Sequence, residues 1–361
     1  MVDFDALQAA GIVDARQRAG LIEYLDSLGF TAEEMVEAES RGRLFGLAGD
    51  VLQWSGRPTY SIRTAADALG VSSDEVARAW ALLGLTVAGP DELTLSQADV
   101  EGLDSWFRIK QLLGADGAFG FLRVLGSTMA RLAEAESAIM RAGAPDIQIN
   151  HTGDELATAK AYRAAAEFIP RIGVLLDAVH RHHMISARTH FERVVRDSTS
   201  NVVCGVGFAD LSGFTALTQL LTPAELSMVL NEFSATVSDV VHANLGRVVK
   251  FIGDEVMWVS PTPEQLANAA IDLVSHPKAG EAGLRVRAGL GYGQALAING
   301  DYFGTMVNLA ARLVAVAKPG QILATGALHD ELPGWAATIQ EPLMLKGFGD
   351  PVTAYELHGR H

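Results

Sequence analysis

Two aspartates stand where this chain first looks built for chemistry. Asp210 follows the apolar run Val202-Val-Cys-Gly-Val-Gly-Phe208 and lies within Phe208-Ala-Asp-Leu-Ser-Gly-Phe-Thr215. Asp254 sits at a Gly-Asp turn within Lys250-Phe-Ile-Gly-Asp-Glu-Val-Met257. Two carboxylates delivered by separate turns, beside a glycine and a helix start, suit a divalent cation that holds a polyphosphate. Taken singly, Asp210 also reads as a helix cap and Asp254 as a hairpin-turn residue. Further along, Asn308 and Arg312 are four apart in a helical pattern and so share one face.

The elements that must position these residues begin near Val202, where the sequence turns to alternating strand and helix patterns. A buried strand is expected over 201–208, and a helix starts near Thr215. Thr222-Pro-Ala-Glu225 restarts it with a capping box and proline in the first turn. Leu226, Val229, Leu230, Phe233, Val237 and Val240 then face inward at helical spacing. A hairpin over 247–251 and 256–259 turns at Gly253-Asp254. A helix follows over 263–276, then two strands over 284–292 and 293–298. The loop Asn299-Gly-Asp-Tyr-Phe-Gly304 leads into a helix over 306–317 that Pro319-Gly320 ends. A strand over 322–325 and a closing hairpin over 343–348 and 351–357 complete a mainly antiparallel α+β domain.

The 361 residues, 49% of them apolar, allow two or three domains with real cores. A formal charge of −15 argues against a surface that holds a nucleic-acid backbone, so no nucleic-acid partner is expected. The single cysteine, Cys204, excludes an internal disulfide framework and reads as a small core hydrophobe. The acidic start Met1-Val-Asp-Phe-Asp lacks a basic and then apolar stretch and no run of about 18 apolar residues occurs, so neither a signal peptide nor a transmembrane segment is expected. A cytoplasmic protein is expected.

Residues 1 to about 195 read as almost wholly helical. Capping-box spacing recurs at Thr31 to Glu34, Ser72 to Glu75 and Ser96 to Asp99. Long amphipathic patterns run over 116–141 and from about 154 to 184, with Pro170 predicting a boundary near Ile169. The segment 62–71 followed by a second helix resembles a helix-turn-helix unit. Asp74 and Glu75 at the start of that second helix disfavour DNA, and a helical hairpin in a bundle is the favoured reading. His180, His182, His183 and His190 cluster among Arg181, Arg188, Arg193 and Arg196. Three readings stay open there: a solvated helix face, a metal site through Asp177 and His180, and an element that responds to protons near the ordinary histidine pKa of about 6.5.

The motifs around Asp210, Lys250–Asp254, Asp301–Gly304, Asn308–Arg312 and Leu345-Lys346-Gly347 together resemble the catalytic domain of class III nucleotidyl cyclases, in family order over residues 202–358. The resemblance implies a ferredoxin-like domain that turns a nucleoside triphosphate into a 3′,5′-cyclic nucleotide and pyrophosphate. It also implies that Asp210 and Asp254 bind two Mg2+ or Mn2+ ions and that Asn308 orients the ribose. Arg312 would stabilise charge on the α-phosphate, and Lys346 would bind the β- and γ-phosphates. The backbone of Leu211, Ser212, Gly213 and Phe214 suits a phosphate cradle. Lys250 and Asp301 complement the N1 acceptor and N6 donor of adenine, so the expected substrate is ATP and the expected enzyme an adenylate cyclase.

The family's shared sites imply a homodimer with two equivalent sites. Asp210 and Asp254 of one protomer would face Lys250, Asp301, Asn308 and Arg312 of the other. The helical half resembles the regulatory domain of acid-responsive actinobacterial cyclases. The resulting division is an all-helical regulatory domain over 1–178, a His/Arg-rich helical linker or switch over 179–199 and a catalytic domain over 200–361. An apolar ligand in the helical bundle is a competing signal, although ordinary core packing explains the same Leu, Phe and Met richness. The alternative function is a catalytically silent nucleotide- or DNA-responsive module.

Overall fold

The computed structural model describes residues 2–194, 201–277 and 284–360. The chain divides into two compact units, Met1–His183 and Met184–His361. The architecture is α+β, with helices throughout the first unit and a sheet in the second.

In the first unit the helices are α1 (Phe4–Ala9), α2 (Ala19–Ser27), α3 (Ala32–Ser40), α4 (Leu47–Asp50), α5 (Ile62–Leu69), α6 (Ser73–Leu82), α7 (Gln97–Leu113), α8 (Ala115–Gly143), α9 (Ile149–Thr152) and α10 (Glu155–Ala166). Helix α11 (Ile169–Val194) continues past the unit's end. The capping boxes form at Thr31/Glu34, Ser72/Glu75 and Ser96/Asp99, and a fourth forms at Ser61/Thr64. Pro170 sits in the first turn of α11, where its missing N–H costs no helical hydrogen bond. The unit buries two cores, one around Ile22, Leu25 and Met35 and one around Val76, Leu103 and Trp106. The helix-turn-helix-like pair α5–α6 contributes Ile62, Ala65, Val76 and Ala79 to the second. Acidic Glu75 on α6 is paired with Lys110 at 2.7 Å.

The second unit is built on strands β1 (Asn201–Ser212), β2 (Arg247–Ile252), β3 (Glu255–Ser260), β4 (Arg285–Ile298), β5 (Asp301–Phe303), β6 (Ile322–Thr325), β7 (Trp335–Ile339) and β8 (Ala354–Arg360). They form one sheet in the order β2-β3-β1-β4-β6-β8-β7, with β5 paired to β4. Every pairing is antiparallel except β4 with β6, which is parallel. Helices α12 (Phe214–Thr218), α13 (Pro223–Ala243), α14 (Pro263–Val274), α15 (Thr305–Val316) and α16 (Gly326–Asp330) complete it.

Alternation along β1 sorts the core. Val202, Cys204, Val206 and Phe208 join Met306, Val307, Ala310 and Val314 of α15, while Ala209 and Leu211 join Val237 of α13 and Leu266 of α14. Burial pushes the Cys204 thiol up to about 12, which keeps it an inert core side chain. Two glycines permit contacts that a methyl group would block. A Cβ on Gly207 would lie 2.2 Å from the Trp258 ring, and one on Gly289 would lie 2.3 Å from the Ala310 carbonyl oxygen of α15.

The sheet differs from expectation in four places. Strand β1 runs on to Ser212, because its partner β4 is long enough to pair it throughout. Strand β4 is continuous where two strands were expected: Gly293 takes φ 146 yet stays in the ladder opposite Cys204. The loop before α15 holds the short strand β5. The closing pair is β7 with β8, and the Leu343 segment makes a single bridge to Val352. Strand β7 reads weakly in sequence because Trp335-Ala-Ala-Thr-Ile339 has few β-branched residues and no clear alternation.

Candidate active site

Asp210 stands near the end of β1, between Glu255 of β3 and Arg287 of β4 in register. The Arg287 guanidinium donates to Asp210 Oδ2 at 2.8 Å through Nε, and its Nη1 donates to the carbonyls of Ala315 and Ala317, each at 3.2 Å. Asp254 occupies the β2–β3 turn beside Gly253, whose φ of 65 suits glycine. Burial first, and then the neighbouring Asp210 carboxylate, holds Asp254 above the usual carboxylate range. Glu255 is pushed up to about 7, again by burial first and then by Asp210 and Asp254.

Three carboxyls thus share one rim with the Arg287 guanidinium beside Asp210. Two of the carboxyls resist ionisation, which is the electrostatic condition that a bound cation relieves. The oxygen-only donors fit a hard divalent ion such as Mg2+ or Mn2+. Among the described residues no three His, Cys, Asp or Glu side chains already converge as a closed metal site.

Lys250 of β2 and Asp301 of β5 form an ion pair, about one-third and one-quarter exposed. Asp301 Oδ1 also accepts from the Tyr302 backbone N–H at 2.8 Å. Tyr302 is buried, and its hydroxyl accepts from Arg247 at 3.0 Å. Asn308 and Arg312 lie on one exposed face of α15 and make no side-chain hydrogen bond to another described residue. Lys346 is exposed after the buried Leu345, next to Gly347 at φ 93.

Leu211 and Ser212 stand in the β1–β4 ladder, while Gly213, at φ 91, makes the turn into α12 and Phe214 is its first residue. The Ser212 hydroxyl is buried without a hydrogen-bond partner among the described residues. His180, His182 and His183 are exposed on α11, and Asp177 pairs with Arg181 at 2.8 Å rather than joining His180 in a metal site. The side chains of Arg188, His190 and Arg193, and Arg196 altogether, lie outside the described residues.

Sequence reasoning assigned no role to Arg287, Glu255, Arg247 or Tyr302. Arg285 and Arg287 alternating with the apolar residues of β4 were the available signal for the first. Glu255 adjoins Asp254, but its burial depends on which strands flank it. The Arg247–Tyr302 contact spans 55 residues and leaves no local pattern.

Comparison with known proteins assigns a family to each part of the chain. Residues 195–359 match the adenylate and guanylate cyclase catalytic domain, and residues 4–187 match the adenylate cyclase regulatory domain. An uncharacterized protein of Mycobacterium tuberculosis is 68% identical over 357 residues, covering 99% of this chain and 94% of that protein. An adenylate cyclase of Streptomyces coelicolor is 31% identical over 280 residues, covering 76% of this chain and 71% of that enzyme. A pH-sensitive adenylate cyclase of Mycobacterium tuberculosis is 28% identical over 378 residues, covering 98% and 91%. Among the described residues no helix is long and apolar enough to cross a membrane.

Proposed function

The chain belongs to the class III adenylate cyclases that carry an adenylate cyclase regulatory domain ahead of the catalytic domain, and from that premise we propose that it forms 3′,5′-cyclic AMP and pyrophosphate from ATP at sites shared by two copies. The observation that carries this reading is the Lys250–Asp301 pair, a donor beside an acceptor, in the unit that also gathers Asp210 and Asp254. Lys250 donates to adenine N1, and Asp301 accepts from the N6 amino group. Guanine would present an acceptor to Asp301 and a donor to Lys250, so both contacts would fail.

Asp210 and Asp254 would hold two Mg2+ or Mn2+ ions, which supply neutralisation of the triphosphate and acidify the ribose 3′-hydroxyl. The 3′-oxygen attacks the α-phosphorus and gives its proton to water. The bond from the α-phosphorus to the bridging oxygen breaks, and pyrophosphate leaves with that electron pair. Asn308 orients the ribose, and the planar guanidinium of Arg312 meets the charge that grows on the α-phosphate. The Gly213 turn and Lys346 hold the remaining phosphate oxygens.

Asn308 and Arg312 are exposed and make no side-chain hydrogen bond to another described residue, which supports a role at a second protomer's carboxylates. The His-bearing α11 and the pH-sensitive relative support control by acid through the regulatory unit. The test is incubation of the purified protein with ATP and Mn2+ or Mg2+. Cyclic AMP should form with wild type and not with Asp254→Ala. A wild type that leaves ATP intact with either metal would refute the reading.

A further inference from the structure

We propose that Arg247 and Tyr302 are a positioning pair that fixes the spacing of Lys250 and Asp301 and thereby sets the preference for adenine over guanine; this rests on the cyclase reading of the site. Arg247 and Lys250 are three residues apart on β2, and plain strand alternation would send them to opposite faces. They do not go to opposite faces. The register shifts between Val248 and Lys250, so that Arg247 lies opposite Val259 and Lys250 opposite Met257. Val259 and Met257 both face the α15 side of the sheet, as members of one core cluster. The irregularity at Val249 therefore brings both cations to one face, the re-aiming that a bulge performs beside a binding site.

Strand β5 needs what these cations provide. It has three residues, pairs only with β4, and follows a two-residue turn in which Asn299 and Gly300 take φ 52 and 79. So short a strand at the end of a hairpin is weakly held by its backbone alone. Tyr302 anchors it: the side chain is 5% exposed and packs in the cluster that holds Val202, Cys204 and Met306. The buried phenol requires a partner, and Arg247 supplies it at 3.0 Å with its guanidinium carbon 5.8 Å from the ring centroid. The Tyr302 backbone N–H meanwhile occupies Asp301 Oδ1, leaving Oδ2 turned to Lys250.

Strand β2 is thus tied to β5 twice. When a purine edge enters between Lys250 and Asp301, that ion pair opens. The Arg247–Tyr302 contact then remains to hold the two strands at the separation that adenine bridges. Rejection of guanine depends on that separation, because a slack pair could shift until a mismatched edge fits.

The test uses the full chain with Tyr302→Phe, which keeps the ring in its core, and Arg247→Met, which keeps the stem on the surface. Arg247→Lys is the conservative variant that restores a donor. Steady-state rates with ATP and GTP, displacement of a fluorescent ATP analogue by each nucleotide, and thermal denaturation are measured together. Tyr302→Phe and Arg247→Met should each raise the KM for ATP more than they lower kcat. Each should reduce the ATP-over-GTP preference about tenfold, the factor set by one hydrogen bond of ordinary net strength, and Arg247→Lys should recover most of it.

A lower melting temperature with an unchanged ATP-over-GTP ratio would make the pair merely structural and overturn the proposal. If wild type binds ATP in preference to GTP without forming cyclic AMP, the cyclase reading fails alone. The displacement ratios of the variants then still decide the positioning role. A wild type with no preference between the nucleotides in binding or turnover overturns both.

Discussion

At the scale of residues, the proposed function makes Lys250 and Asp301 the pair of hydrogen-bond polarities that selects the substrate. Reversing both, with Lys250→Glu and Asp301→Ser, should lower the kcat/KM for ATP by at least about tenfold and make GTP the better substrate, as read by product chromatography. Glu255 gives a second prediction. In the fold its carboxyl keeps a proton up to about 7, against 4.5 for the unperturbed group. The folded state therefore binds more protons than the unfolded chain between those values. The resulting stability is complete below about pH 4.5 and is lost as pH rises through about 7. Melting temperatures in EDTA should show this decline, and Glu255→Gln should flatten it; a variant with the wild-type slope would contradict it. Added Mg2+ should stabilise the wild type more at pH 7 than at pH 5, because protons and cations compete for the same carboxyls. The aspartates stood out in the sequence because they fall in order with Lys250, Asp301, Asn308 and Arg312; singly, each reads as a cap or a turn residue. Arg287 did not, because an arginine in a strand reads as solvent-facing until its cross-strand neighbour is known.

Elements place these residues, and here close packing decides. Helix α15 lies so near β4 that a Cβ on Gly289 would come 2.3 Å from both the Ala310 oxygen and the Val314 nitrogen. Gly289→Ala should push the helix away from the sheet, costing about 1–3 kcal/mol in urea denaturation. Activity should fall beyond the loss of folded protein, since Asn308 and Arg312 ride on that helix. The helices were largely readable from their caps and spacing: Thr222 with Glu225 opens α13 and Pro170 opens α11, as local chemistry requires. Strands were less so. The extent of β1 through Ser212 and the continuity of β4 through Gly293 follow from pairing between distant segments, which no local window contains. The bulge at Val249 is invisible for the same reason: alternation breaks only relative to β3.

For the whole molecule, the account predicts that two defective copies can make one working site. Asp210→Ala and Arg312→Ala, each inactive alone, should regain activity when mixed, reaching at most the fraction of mixed dimers that carry one intact site. Heterodimers demonstrated by differential tags but lacking activity would contradict shared sites. The proposed acid control belongs to this scale too. The full chain with His180, His182 and His183 all changed to Gln should lose much of any activity change between about pH 5.5 and 8, the range that brackets an ordinary histidine. An unaltered profile would place the sensor elsewhere. The most direct measurement on the central claim remains product stoichiometry. Purified protein, ATP and Mn2+ should yield 3′,5′-cyclic AMP and pyrophosphate in equal amounts, and EDTA should abolish both. Release of ADP and phosphate instead, or cyclic AMP formation that persists without metal, would contradict the account.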